Sequence, residues 1–290
     1  MACDWLFIDG SSLIFRAFHG VPQSVRAPDG TLVNAVRGFM DTLARLVATR
    51  RPQHLAIASD ADWRPAWRVD LIPEYKLQRT PEPVPPLLEP QMPVIDAFMA
   101  AVGVDVRGVK DYEAEDVIAA WTASAAGSIE IASGDRDLFA LVEQDRICVL
   151  YPERGGLAVV DEHEVTRRYN IPGRAYADFA VLRGDPSDGL PGLRGVGPVA
   201  AAQLIRKHGG IEGLMRDGGL SDAQREYLTR ALRVVQPMRT LSVNLPPGRR
   251  DSYPEDAAAL AELSERYGVS SVSGNLVRAL SAMAASVGNA

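Results

Sequence analysis

The chain has 290 residues, 47% hydrophobic and 23% charged, and carries a net charge of −6. That length holds one large α/β domain with a smaller appendage, and the acidic balance excludes a uniformly basic nucleic-acid binder while leaving local basic patches open. Two cysteines without paired spacing exclude a disulfide framework or zinc knuckle. Neither a signal peptide nor an 18-residue apolar run is visible, so the expectation is a cytoplasmic protein away from the membrane.

In chain order, apolar runs at Trp5–Ile8, Leu55–Ala58, Val104–Arg107, Ile129–Ala132 and Ile147–Tyr151 read as strands. Helix-like segments lie between them at Asn34–Thr49, Val94–Val102 and Glu113–Ser124. Strands alternating with helices predict an α/β core over residues 1–170, with a central, mainly parallel sheet flanked by helices. Residues 62–93 break this rhythm with eight prolines, interleaving Trp63, Trp67 and Tyr75 with Arg64, Arg68, Lys76 and Arg79. Aromatic plus basic is the composition of single-strand channels, so the segment reads as a mobile cationic element above the site. A solvated charged face is the plainer explanation of the same spacing.

From 171 to 245 the texture turns helical, at Tyr176–Arg183, Pro198–His208, Ile211–Asp217 and Asp222–Val235. Residues 244–256 read as a linker within a C-terminal region, 246–290. Its helices near Ala257–Tyr267 and Ser271–Ala285 would pack back on the body. Gly195-Val196-Gly197-Pro198-Val199-Ala200 matches G-x-G-x-x-A, but no strand precedes it, so a dinucleotide pocket is not expected. A Gly-rich turn between two helices instead predicts a helix-hairpin-helix near 189–208. There Gly192, Gly195 and Gly197 would let turn amides approach a DNA phosphate, with Arg194, Arg206 and Lys207 supplying charge. A plain helical turn is the alternative.

Nine carboxylates stand at strand ends or turns: Asp9, Asp60, Glu113, Glu115, Asp116, Asp135, Asp137, Asp185 and Asp188. An apolar run ending in Asp delivers a carboxylate to the carboxyl edge of a parallel sheet, where open α/β folds place their sites. Any one of them alone is as well explained as a cap or turn residue. Together they would repel strongly in one crevice unless cations neutralised them, and oxygen-only ligation suits Mg²⁺ or Mn²⁺ and phosphoryl chemistry.

Asp9-Gly10-Ser11-Ser12, Tyr75-Lys76-x-x-Arg79, Tyr112-Glu113-Ala114-Glu115-Asp116, Gly134-Asp135-Arg136-Asp137-Leu138 and Gly184-Asp185-Pro186-Ser187-Asp188-Gly189-Leu190-Pro191-Gly192 succeed one another in order. The set closely resembles the 5′-nuclease (flap endonuclease) superfamily, above all the 5′→3′ exonuclease domain of bacterial DNA polymerase I, from residue 5 to about 245. Residues 246–290 are too few for a polymerase, so a stand-alone bacterial enzyme is expected. The resemblance implies a PIN-like core with a helical arch and a helix-hairpin-helix, acting as a structure-specific exonuclease or flap endonuclease. It implies two or three divalent cations on the nine carboxylates, and a monovalent cation (K⁺) at the hairpin. Lys76 matches the arch lysine, Arg79 and Arg68 the arginines that grip the scissile phosphate, and Arg16 the arginine after the first motif. The implied substrate is DNA with a 5′ flap, nick or 5′ end, or an RNA–DNA primer, acted on by a monomer. A DNA-junction binder without catalysis is the alternative, and a PIN-like ribonuclease fits less well because of the hairpin motif. Asp60 departs from the usual Phe-Asp by standing after Ser59, and Arg64 has no counterpart.

Overall fold

Leu6, Phe7 and Ile8 carry apolar side chains to both faces of one strand, which is tolerable only in the middle of a covered sheet. The computed structural model describes residues 3–287 and places that strand, β1 (Trp5–Asp9), at the centre. The chain runs through α1 (Gly10–Gly20), α2 (Asn34–Arg50), β2 (His54–Ala58), α3 (Ala66–Leu71), α4 (Met92–Val102), β3 (Asp105–Arg107), α5 (Ala114–Ser124) and β4 (Ile129–Ala132). It continues through β5 (Ile147–Glu153), β6 (Gly156–Val160) and α6 (Glu162–Tyr169). The helical part holds α7 (Tyr176–Arg183), α8 (Pro198–His208), α9 (Ile211–Asp217) and α10 (Asp222–Val235), then α11 (Ala257–Tyr267) and α12 (Ser270–Val287).

The sheet order is β3-β2-β1-β4-β5-β6, with β1 to β5 parallel and β6 antiparallel at the edge. Chain order reverses between β1 and β4, so a crevice opens at their carboxyl ends, where open α/β sheets place ligands. Leu6 and Ile8 pack on one face against Phe39, Met40, Phe98 and Leu276. Trp5 and Phe7 pack on the other against Trp121, Phe139 and Tyr176, a core shared with the helices after residue 171. That second face anchors the helical part to the sheet without a separate interface.

The segment between α10 and α11 crosses the amino edge of the sheet, away from the crevice. Leu55 N donates to Gly248 O at 2.7 Å, and Arg250 grips Asp105 through two bonds of 3.0 Å. Beyond it α11 lies against α4 and α12 along α2. The five expected strands form. The helix after Asp9, the edge strand β6 and helix α6 have no counterpart in the sequence reading. β6 and α6 are short, whereas α1 does carry a buried stripe, Leu13, Ile14, Ala17 and Phe18, behind the Gly-Ser-Ser that opens it.

Residues 62–93 also depart from expectation. They form no continuous helical arch but only α3 and two 3₁₀ turns, Leu77–Arg79 and Glu89–Gln91. Prolines on both sides of α3 remove the amide donors a longer helix needs. Nor is the segment held off the core: Arg64 bonds Tyr75 O at 2.6 Å and Pro73 O at 2.9 Å, and Tyr75 is buried.

Candidate active site

The crevice at the carboxyl ends of β1, β2 and β4 is a cleft of about 530 Å³. Eight of the nine carboxylates line it: Asp9, Asp60, Glu113, Glu115, Asp135, Asp137, Asp185 and Asp188. Each is delivered by a local device. Asp9 ends β1 and caps α1, accepting from Ser12 N at 3.0 Å, while its other oxygen takes the Ser133 hydroxyl at 2.5 Å. Asp60 comes just after β2 and accepts from Ala114 N at 2.7 Å, so it caps the first turn of α5 from outside. Asp135 accepts from Asp137 N at 2.9 Å, a tight turn that sends both carboxylates to one side. Carboxylate oxygens of Glu115, Asp135 and Asp137 lie within 4.8 Å of one another.

These acids crowd at a desolvated place, and their protonation shows it. Burial raises Asp9 to about 7, helped by the charge of Asp60. Asp137 is pushed well above the carboxylate range by burial and then by Asp135, Asp188 and Glu115. Burial also raises Asp188, with Lys76 opposing and Asp135 adding to the rise. Glu115 rises too, with burial outweighing the neighbouring Arg68. Glu113 goes the other way: burial works against its charge, but Lys76 and Arg68 hold it below the usual range.

Asp116 is not among the lining residues. It is fully buried behind the cleft, where it accepts from Arg68 at 2.9 Å and from Met238 N at 3.0 Å. Arg68, expected to grip a phosphate, is likewise enclosed. Its guanidinium meets Glu113 at 2.6 Å, Glu115 at 2.7 Å and Asp116 at 2.9 Å, with no exposed surface. Three acidic residues in the first turn of one helix need a counter-charge, and burial of their side chains draws Arg68 in with them. Sequence spacing shows the charges but not which side of the protein surface they face.

Lys76 reaches the cleft, yet its ammonium is buried and pairs with Glu113. Burial opposes its charge, but Tyr75, Glu113 and Glu115 keep it protonated well above the usual lysine range. Its backbone is left-handed (φ 47°), a conformation held by Lys76 N bonding Asp188 O at 3.2 Å. Arg79 lines the cleft half exposed, 3.3 Å from Asp188. Gly189 makes this docking possible, because a Cβ there would lie 2.0 Å from Glu74 O. Of the three aromatics only Trp63 lines the cleft. Tyr75 gives its hydroxyl to Glu113 at 2.7 Å, and Trp67 bonds Asp111 O at 3.0 Å. Exposed Arg16 stands on the far rim, on α1.

The hairpin residues divide. Gly195 (φ 80°) and Gly197 precede α8 with open space where a Cβ would stand, and Val199 beside them is 74% exposed. Arg194 is exposed in the same turn. Gly192 is different: a Cβ there would meet Gly184 N at 2.5 Å, so it packs the loop rather than facing outward. Arg206 and Lys207 sit in the last turn of α8, about 14–15 Å along the axis from the glycines. Arg206 is spent on Asn170 O at 2.6 Å. Those two cations complement the helix dipole instead of flanking the turn.

Residues outside the sequence reading complete the cleft. Ser12 and Ser133 orient the backbone and Asp9, Arg183 holds Asp185 at 3.0 Å, and Arg136 lines the wall. Ser12 and Arg136 carried a visible signal, standing in the Asp9–Ser12 and Gly134–Leu138 motifs.

Residues 4–170 match the 5′-3′ exonuclease N-terminal resolvase-like domain, and residues 171–246 the 5′-3′ exonuclease C-terminal SAM fold. A 5′-3′ exonuclease of Streptomyces coelicolor is 44% identical over 97% of this chain and 100% of its own length. The DNA polymerase I of Mycobacterium bovis is 35% identical over 79% of this chain but only 26% of the polymerase. Among solved structures, a bacteriophage T5 flap endonuclease in a pseudo-enzyme-product complex with DNA and metal ions has a TM-score of 0.65 at 14% identity. That likeness covers 97% of this chain and 99% of the phage enzyme, and it bears on the fold. Matched by both domains in order and by a relative along nearly its whole length, the chain belongs to the 5′-3′ exonuclease family.

Proposed function

We propose that the chain is a divalent-metal-dependent, structure-specific 5′→3′ exonuclease and flap endonuclease. It hydrolyses phosphodiester bonds near 5′ ends of DNA junctions in replication and repair. The observation that carries this reading is the set of Glu115, Asp135 and Asp137 oxygens within 4.8 Å of one another, in a cleft lined by five further carboxylates. Desolvated acids that hold their protons too tightly are a site a cation fits, and an all-oxygen donor set suits Mg²⁺ or Mn²⁺. Glu115, Asp135 and Asp137 would hold one ion, with Asp9, Asp60, Glu113, Asp185 and Asp188 offering oxygens to a second or third. Bound there, such ions supply Lewis acidity to the attacking and departing oxygens of the phosphodiester.

The chain's own cations do the rest. Lys76 and Arg79 stand at one wall of the acid cluster, placed to offset charge growing on the phosphoryl oxygens. Arg16 offers an exposed guanidinium to the strand entering the cleft. The turn at Gly195 and Gly197 presents open backbone to a duplex phosphate, and a K⁺ ion would assist there. The phage relative's complex with DNA and metal ions supports the substrate class. The reading extends to RNA–DNA primers as substrates, and to a monomer working in the bacterial cytoplasm. Among the described residues no helix is long and apolar enough to cross a membrane. A junction binder without chemistry would have no use for so many buried acids, whose mutual repulsion costs stability.

The test is cleavage of a 5′-labelled flap, a nicked duplex and a blunt duplex under Mg²⁺, Mn²⁺ and a chelator, with the products mapped. Metal-dependent release of short products from the 5′ end is expected. Intact substrates under both metals would sink the reading.

A further inference from the structure

On the β2 side of the cleft every cation has a partner: Arg68 holds three carboxylates, Lys76 holds Glu113, and Arg79 bonds Ser187 O and Asp188. The β4–β5 side is different. Arg136, between Asp135 and Asp137, lines the cleft with its side chain 41% exposed. Its one ion pair among the described residues is a loose 3.8 Å approach to Asp185, whose same oxygen already takes Arg183 at 3.0 Å. Among the described residues the Arg136 guanidinium makes no hydrogen bond, so five donors in a planar fork remain to be used.

The ground beneath it is rigid. Phe139 meets Tyr151 and Tyr176 edge-on, each at 5.3 Å, and Tyr169 meets Tyr176 at 5.1 Å. Burial opposes the charge of Arg136, while Tyr176, Asp185, Tyr151 and Tyr169 raise its guanidinium above the usual range. A partly exposed guanidinium with unspent donors, at the lip of the proposed phosphodiester-cleaving cleft, matches a phosphate in geometry and charge.

We propose that Arg136 is a substrate anchor: it takes the phosphodiester next to the scissile one, on the β4–β5 wall of the cleft. The proposal rests on the nuclease reading above. It gives the cleft two cationic walls of different purpose, with Lys76 and Arg79 facing the reacting group and Arg136 holding the strand beside it.

The test uses the full chain, a fluorescent 5′-flap DNA and Ca²⁺ in place of Mg²⁺, with binding measured between about 50 and 200 mM salt. For Arg136→Gln the expected result is an affinity about tenfold weaker, with a slope of log affinity on log salt shallower by about one. Arg136→Lys should restore the slope but not the full affinity, because an ammonium cannot make the forked contact. Both variants should melt with the wild type, since the side chain is partly exposed and makes no hydrogen bond. An Arg136→Gln protein with unchanged affinity and slope but a slower single-turnover rate would overturn the proposal and make Arg136 a positioning residue for Asp185. Wild-type protein that neither binds nor cuts 5′-ended DNA would defeat the nuclease reading itself, an outcome separate from failure of the variants alone.

Discussion

Arg68 Nη2 donates to Asp116 Oδ1 at 2.9 Å, with neither side chain exposed, and the same oxygen accepts from Met238 N at 3.0 Å. One buried carboxylate thus ties the Pro-rich segment, the start of α5 and the chain leaving α10 to a single point. Glu113 and Glu115 share the same guanidinium, so Arg68 neutralises the first turn of the helix that carries them. Replacing it by Met would take the cation from buried Glu115 and Asp116 and leave Glu113 to Lys76 and Tyr75. Arg68→Met is expected to lower metal-free stability by about 3–5 kcal/mol in urea unfolding, the cost of breaking a buried ion pair. A change under about 0.5 kcal/mol would mark Arg68 as a surface contact instead.

Asp135→Asn removes one charge from the Glu115, Asp135 and Asp137 set while keeping its shape. Cleavage should disappear, with DNA binding and fold retained. The metal-free variant should melt no lower than wild type, because repulsion on Asp137 is relieved. A loss of several kcal/mol in melting experiments would show a structural acid.

Lys76→Ala leaves Glu113 bonded to Arg68 at 2.6 Å and Tyr75 at 2.7 Å, so the site should stay assembled. Single-turnover cleavage should slow by about 10²–10³-fold, the usual loss for a donor aimed at developing charge, while affinity changes far less. Lost affinity with an intact single-turnover rate would make Lys76 an ordinary phosphate contact.

Gly197 has an ordinary φ of −86° and open space around it, so Gly197→Val should fold normally. It should nonetheless weaken duplex binding by covering the backbone a phosphate would approach. Salt sensitivity should barely change, because no charge is lost. Unchanged duplex affinity would remove the hairpin from the DNA interface.

Asp9 carries a proton up to about pH 7 in the folded protein, against about 3.9 when unfolded. The folded state therefore binds more protons at Asp9 across that window, and the Asp9 contribution to metal-free stability should be lost as pH rises from about 4 to about 7, then level off. Asp9→Asn should flatten this part of the melting profile, and saturating Mg²⁺ should reduce the fall in wild type. A wild-type profile flat over that range in chelator would contradict the burial argument.

The strand ends were legible because parallel strands of a covered sheet are short and apolar, as Leu6–Asp9, closed by the Asp it presents, and Ile129–Ala132, followed at once by the Asp135 turn, show. The helices of the second half were equally plain, since Pro, Gly and Ser mark their boundaries from Tyr176 to Val235. The acidic set came with the strands, and the motif order with the resemblance. Direction and depth were not in the sequence. Arg68 and Arg79 look alike along the chain, yet one is enclosed among three carboxylates and the other stands half exposed at the cleft. Arg206 and Lys207 come soon after the hairpin in sequence but lie a helix length from its glycines. The α/β frame is a product of local periodicity. Which charge meets the solvent and which is consumed inside depends on how distant segments dock, because desolvation and Coulomb energy are settled only by neighbours remote in sequence.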